Sequence, residues 1–390
     1  MDTQVLVVGA GPAGLATAGC LVQRGIHPHV IEQGDQVGAS WRSHYDRLHL
    51  HTVKSHSALP GLPFSDALPR YVPREGVVGY LSTYADHYGI APQRGEAVTR
   101  IVPAAIGWRT FTASGLQFVS REVVVATGAN RVPTRPTLPG EADFGGAIVH
   151  SGDYRNPVPY AGQRVLVVGM GNTGAEIALD LAEHGVRVAL SVRSPLNIVH
   201  RDVLGRPTQL TSIALSRLPQ RWGDSVARLL RDVTVGNLGS HGLHMSKVSP
   251  LRQLREQGKT PVIDVGTLAR IKSGEIGVHP AVERLGTRSV RFVDGVEERF
   301  DAVILATGYR PGIDRLFPDR QVPIDANGMP LDATGHGDLA GIHFVGFDVR
   351  QPGGLLRTIA LQAQQAARTI VLRLGEPSHA HAVDPPAVRG

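Results

Sequence analysis

Short β-branched runs alternate with apolar stripes of helical period along most of the chain. Residues 5–8 (VLVV) predict a strand, 15–24 a helix and 29–31 a second strand. The same order returns at 164–168, 175–184 and 186–192. A glycine turn joins each first strand to its helix. One reads Gly9-Ala10-Gly11-Pro12-Ala13-Gly14, the other Gly169-Met170-Gly171-Asn172-Thr173-Gly174. Two more apolar runs, 123–126 and 301–305, end in Ala126-Thr127-Gly128 and Ala306-Thr307-Gly308. This internal duplication predicts an α/β fold with two units of the same kind.

Between these units the pattern is less regular. Residues 47–54 (RLHLHTVK) alternate like a strand and would put His49 and His51 on one face. Residues 57–73 read as irregular loop, 76–88 as a helix, and 98–101, 108–112 and 116–119 as antiparallel strands. The insertion at 195–259 has amphipathic helical character, notably over 211–230. Short strands are expected at 290–292, 297–300 and 343–347, and a helix over 355–374.

The turns carry the chemistry. In a G-x-G-x-x-G turn the first glycine permits the bend, the second lets a pyrophosphate approach the backbone, and the third lets helix and strand pack. The helix start offers free N–H groups to phosphate. Glu32 lies 23 residues after Gly9, placed to accept hydrogen bonds from a ribose hydroxyl pair. In the second copy Arg193 stands 24 residues after Gly169, followed by Ser194, and no acid is present there. An arginine at that point favours a 2′-phosphate that an acid would repel. The two copies thus predict two Rossmann-like dinucleotide-binding domains, one for a cofactor with a free ribose and one for NADPH.

Composition narrows the classes. The chain has 390 residues, 42% hydrophobic and 19% charged, as expected of a globular protein of two or three domains. Its net charge of +6 is spread without a basic run, and aromatics are 5%, so no nucleic-acid partner is expected. Cys20 is the one cysteine, which excludes an intramolecular disulfide, a CxxC redox pair and a multi-cysteine metal site. No third ligand is spaced to join His49 and His51, so no metal is expected. The chain enters a strand at its start without a signal-like segment and carries no long apolar span, so the expected place is the cytoplasm, away from membranes. Oligomeric state, monomer or homodimer, is not encoded in these patterns.

One more stretch connects the copies. Residues 144–154, FGGAIVHSGDY, read F-x-G-x-x-x-H-x-x-x-Y, with Phe144, Gly146, His150 and Tyr154 in the named places. With the two turns and Ala306-Thr307-Gly308-Tyr309, it resembles the flavin-containing monooxygenases. Glu32, Gly38 and Trp41 look like the E-x(5)-G-x-x-W continuation in flavoprotein monooxygenases. Tyr154, where Baeyer–Villiger monooxygenases usually show Trp, points to the former. YDRLHLHTVK at 45–54, KTPVIDVGTLARIKSGEI at 259–276 and VGF at 345–347 look like the YUCCA branch, whose members convert indole-3-pyruvate to indole-3-acetate.

The resemblance implies an FAD domain interrupted by an inserted NADPH domain: residues 1–155 as the first FAD part, 156–288 for NADPH with a helical insertion at about 195–258, 289–376 as the second FAD part, and 377–390 as a flexible tail. It implies FAD contacts from Gly9, Gly11, Pro12, Ala13, Gly14, Glu32, Gln33, Gly38, Trp41, Arg42, Thr127, Gly128, Gly354 and Leu355. It implies NADPH contacts from Gly169, Gly171, Asn172, Thr173, Gly174, Arg193, Ser194, Thr307, Gly308 and Tyr309. Phe144 to Tyr154 would be the linker coupling the two cofactors. His51 stands where many flavin-containing monooxygenases carry an asparagine that stabilises the flavin hydroperoxide, and His51 and Lys54 are the candidate catalytic residues. The activity implied is insertion of one oxygen atom from O2 into a small substrate, with oxidative decarboxylation of an aryl 2-keto acid, N- or S-oxygenation, and a non-oxygenating NADPH:flavin oxidoreductase all left open. A flavin disulfide reductase would need a second cysteine.

Overall fold

The computed structural model describes residues 1–375. Two sheets form the scaffold. In the first, the strands run in the order His29–Ile31, Asp2–Val8, Gln117–Val125, Trp108–Thr112, Val98–Pro103, with Ile342–Phe344 also paired to Gln117–Val125. The second is wholly parallel, ordered Ile276–His279, Arg187–Ser191, Arg164–Val168, Ala302–Leu305, Ala147–His150. Their centres are fully buried runs (Val5 to Val7, Val165 to Val167, Ala302 to Leu305), as parallel sheets covered on both faces require. Helices Pro12–Val22, Arg74–His87 and Leu355–Gly375 cover one face of the first sheet, and Asn172–Glu183 covers the second. Cys20 is buried in the first core.

Three expectations about single elements change. The strands expected at 116–119 and 123–126 are one strand, Gln117–Val125. Glu122 breaks its apolar pattern, yet is buried, because His343 and Arg373 each place a nitrogen 2.8 Å from its carboxylate. The expected 211–230 helix is two helices, Thr208–Leu215 and Gln220–Val235, parted at Pro219, which lacks the N–H needed to continue the first. Residues 47–54 form no strand. Only His49 makes a bridge, to Pro73, and Lys54–His56 turns into a 3-10 helix.

The domain boundaries also shift. Ala147–His150 and Ala302–Leu305 lie in the second sheet, so the second unit begins before residue 155 and continues past 289. The chain crosses between units as a small antiparallel ribbon, Tyr309 opposite Pro133 and Arg310 opposite Val132. The Phe144 to Tyr154 stretch is therefore an edge strand and its flanks, rather than the linker. The tail expected at 377–390 lies outside the described residues.

Candidate functional site

The two glycine turns are superimposable in their chemistry. Gly9 and Gly169 have φ of 110° and 103°, and a Cβ at either would stand 2.6 Å from a carbonyl oxygen, that of Ala126 or Ala306. Each first strand thus passes so close to its Ala-Thr-Gly neighbour that only glycine fits. A Cβ on Gly14 or Gly174 would overlap the carbonyl of Gly9 or Gly169. Gly11 and Gly171 differ: nothing lies within 4 Å of a Cβ there. Each caps its helix without any side-chain hydrogen bond, and neither first turn carries an acid. Open space bounded by unpaired helix N–H groups is what an anionic group needs.

Glu32, 7% exposed, braces the first turn: its carboxylate accepts from the N–H of Ala10 at 2.6 Å and of Gly34 at 2.8 Å. Four lone-pair sites leave room for two further donors. Gly38, at φ 68°, donates its N–H to the Ala10 carbonyl, and Trp41 packs against the first core. Arg42 donates to the Val37 carbonyl and Ser82, while Gln33 is exposed beside Glu32. Thr127 Oγ1 is buried with no hydrogen-bond partner among the described residues, next to Gly128 at φ 88°. An orphaned hydroxyl beside the turn marks a missing polar neighbour.

In the second unit, Arg193 and Ser194 are exposed just beyond strand Arg187–Ser191. Ser194 shares a groove with His244, Lys247 and Lys259, basic side chains whose spacing in the sequence gave no hint of their meeting. Asn172 and Thr307 do other work. The Asn172 amide bonds Ile263 N–H and the Pro261 carbonyl, and Thr307 Oγ1 donates to the Thr134 carbonyl.

A cavity of 580 Å³ opens between the units. His51, Asn130, Gly354 and Leu355 line it from the first unit, and Leu230, Leu254 and Ile263 from the insertion and second unit. Its walls are mostly apolar. Its lining carries the guanidinium groups of Arg201, Arg206 and Arg231 and the imidazoles of His51 and His200, and it includes no aspartate or glutamate. Arg201 lies over the Tyr71 ring at 4.1 Å and pairs with Asp202. Arg206, on the hairpin tip beside it, has no carboxylate partner among the described residues. Arg231 pairs with Asp232 and is held by Asn197 and backbone carbonyls. Lys54 does not line this cavity. Its ammonium donates to the carbonyls of Ser65, Asp66 and Leu68, so its contacts here pin a loop.

Of the Phe144 to Tyr154 stretch, His150 and Gly152 lie beside Tyr309, while Phe144 and Tyr154 pack in separate clusters. Phe144 is buried in the second unit's core, and a Cβ on Gly146 would strike Asp301 O. His150 Nδ1 accepts from Gly152 N–H and its Nε2–H donates to the Gly308 carbonyl, with the ring edge-on to Tyr309 at 4.9 Å. The Nδ1 acceptor role needs the neutral ring. Tyr154 donates to Asp180 at 2.7 Å. Burial, reinforced by that carboxylate, pushes the Tyr154 phenol well up.

A family model described as flavin-binding monooxygenase-like matches residues 2–370, which span both glycine turns and both crossings between the units. The chain belongs to this family. It is a flavin-dependent monooxygenase. It is 39% identical over 360 residues to the rice (Oryza sativa subsp. japonica) indole-3-pyruvate monooxygenase YUCCA1, covering 90% of this chain and 88% of that protein. Identity to the rice indole-3-pyruvate monooxygenase YUCCA4 is 37% over 387 residues, covering 95% and 87%. A flavin-containing monooxygenase from Stenotrophomonas maltophilia shares the fold with a TM-score of 0.72 at 23% identity, over 96% of this chain and 99% of that one. No helix of the described residues is long and apolar enough to cross a membrane, and they hold no cluster of three or more metal-ligating side chains.

The His150 geometry carries a pH prediction for this monooxygenase. Burial holds its imidazole below the ordinary 6.5. Between the folded value and 6.5 the unfolded chain binds the proton more readily. The stabilisation is therefore complete above 6.5 and is lost as pH falls through the folded value. The thermal midpoint should drop as pH is lowered below 6.5, and less steeply in His150→Gln. Equal slopes in the two proteins would remove His150 from the account.

Proposed function

We propose that the first glycine turn holds FAD, the second holds NADPH, and the cavity oxygenates an aryl 2-oxo acid such as indole-3-pyruvate with loss of CO2. One 2-oxo acid, O2, NADPH and a proton yield the shortened carboxylic acid, CO2, water and NADP+. The single observation that carries the substrate class is the cavity itself: apolar walls, with every charged lining side chain basic. An anionic aryl acid suits both features, whereas a protonated amine would be repelled by Arg206. The volume of 580 Å³ falls within the roughly 300–1,000 Å³ usual for small-molecule sites.

The residues fit the cofactors. Gly11 and Thr127 leave room and an unpaired hydroxyl where a pyrophosphate would lie, and Glu32 keeps acceptor capacity for a ribose. Arg193, Ser194, Lys247 and Lys259 offer donors to a 2′-phosphate. When bound, FAD supplies the redox chemistry, taking two electrons from the nicotinamide and passing one atom of O2 to the substrate. The protein's part is to bind, orient and keep the site dry: Leu230, Leu254 and Ile263 exclude water, and Arg206 faces the carboxylate.

A substrate panel tests this reading: indole-3-pyruvate, phenylpyruvate, a thioether and a tertiary amine, followed by product mass and NADPH consumption. The 2-oxo acids should be turned over preferentially, and preference for the amine would overturn the assignment. Losing a charge-assisted contact of about 1.5–3 kcal/mol, Arg206→Ala should raise the KM for the 2-oxo acid roughly tenfold or more. The thioether KM should stay within about twofold, since that substrate offers no carboxylate. An equal rise for both would assign Arg206 to packing.

A further inference from the structure

Helix Asn172–Glu183 presents its start to the open space beside Gly171. Its side has a second task. Glu176, Asp180 and Glu183 stand four and three residues apart, on one side of the helix. Each takes a partner from outside the helix. Tyr154 donates to Asp180, and Arg47 pairs with Glu183. Glu176 takes two partners, both from the first unit. His51 Nε2 bonds its Oε1, and Tyr45 donates to its Oε2 at 2.9 Å.

Glu176 is the costly member of this row. Its side chain is 4% exposed, and a buried carboxylate costs several kcal/mol unless paired and hydrogen-bonded. Glu183, at 34%, sits in solvent by comparison. The fold has other means of joining the two units: Asp46 N–H donates to the Arg155 carbonyl, and Asn156 to Asp46. A contact that serves only to join surfaces does not need a carboxylate buried this deeply. What Glu176 touches that the others do not is His51, which lines the cavity.

The pairing also settles the histidine's tautomer. A ring nitrogen facing a carboxylate oxygen must carry the proton. His51 Nε2–H therefore points at Glu176, and in the neutral ring Nδ1 is left as an acceptor. Nδ1 has no hydrogen-bond partner among the described residues. Tyr45 completes the arrangement. Its phenol is pushed well up by burial and by Glu176, so it stays a donor and holds the second carboxylate oxygen. Rotating Glu176 away from His51 would break both bonds.

We propose that Glu176 is a positioning residue for the oxygenation. From the helix of the second nucleotide turn it fixes the His51 ring and its Nε2–H tautomer, so that Nδ1 is presented as a hydrogen-bond acceptor to the cavity. This rests on the reading that the cavity is the site of oxygen transfer. It makes the cavity wall depend on the seating of the second unit against the first. The dyad is complete only when helix Asn172–Glu183 and residues 45–51 are in contact, so a turnover begun with the units apart would meet an unoriented histidine.

Two measurements test it. The first needs no turnover. In protein labelled with 15N-histidine, the ring nitrogens of His51, assigned by their loss in His51→Asn, should show the Nε2–H tautomer. In Glu176→Gln that tautomer should no longer dominate, because Gln offers an amide N–H as readily as an oxygen. A wild-type Nδ1–H tautomer, or an unchanged ring in Glu176→Gln, would overturn the proposal even if the substrate assignment stands.

The second is a double-variant cycle on the FAD-loaded enzyme, with whichever panel substrate it oxygenates. By analogy with outer partners that orient metal-bound histidines, Glu176→Gln should lower kcat about 10- to 100-fold, with the KM for NADPH changed less than about threefold. More of the NADPH should end as hydrogen peroxide. Glu176→Gln/His51→Asn should be no slower than His51→Asn alone, since Glu176 acts through the ring. Multiplicative losses would show that Glu176 acts by another route. Failure of indole-3-pyruvate as substrate would overturn the substrate reading and leave both measurements interpretable.

Discussion

Gly11→Asp should give a folded, colourless protein. Gly11 has φ −81° and ψ −173°, which any residue adopts, and a Cβ there meets nothing within 4 Å. The chain itself therefore tolerates a side chain at this position. A ligand pyrophosphate would not, because the new carboxylate would occupy and repel its space. FAD affinity should fall at least about 100-fold, roughly 2.8 kcal/mol. The thermal midpoint should match that of flavin-stripped wild-type protein, since only ligand linkage is lost. Gly14→Val is a poorer test, because its side chain would overlap the Gly9 carbonyl and disturb the turn directly. Gly171→Asp is the reciprocal control, expected to stay yellow and to lose reduction by NADPH. Gly11→Asp protein that purifies with a full complement of FAD would refute the assignment of the first turn.

Arg193→Ala should separate the two nicotinamide cofactors. Arg193 is exposed beyond its strand and forms no ion pair among the described residues, so its removal disturbs no packing. A charge-assisted contact is worth about 1.5–3 kcal/mol. The KM for NADPH should accordingly rise about 10- to 100-fold, while NADH, which lacks the 2′-phosphate, should change little. Lys247 and Lys259 share the groove with Ser194, so each should add a smaller effect in the same direction. An unchanged NADPH/NADH preference would contradict the 2′-phosphate reading.

What the sequence revealed was set by local geometry. The glycine turns, Glu32 and the Ala-Thr-Gly ends follow from spacings within one strand–turn–helix unit, and the structure brings each first glycine against its Ala-Thr-Gly end and Glu32 against the first turn. What it hid depended on partners distant in the chain. Ala147–His150 falls within the stretch expected as a linker, and only its pairing with Ala302–Leu305 makes it a strand of the second unit. Residues 47–54 alternate like a strand, but they meet residues 70–74 and the side chain of Gln209, which takes the Val53 N–H. Lys54 has the profile of a site cation, yet three carbonyls some 11 to 14 residues on claim it. Glu176 looks like any polar position on an amphipathic helix; its partners lie 131 and 125 residues upstream. The basic cavity lining is assembled from the insertion, where no motif marks Arg201 or Arg206.

The central claim is oxygenation of an aryl 2-oxo acid by a two-cofactor flavin enzyme. It is tested most directly by running the FAD-loaded protein with NADPH and indole-3-pyruvate under 18O2, with catalase present to remove free peroxide. The expected product is indole-3-acetate carrying one 18O atom, with unlabelled CO2 released and NADPH consumed in equal amounts. NADPH oxidation that yields no acid once catalase is added, or acid without the label, would contradict it.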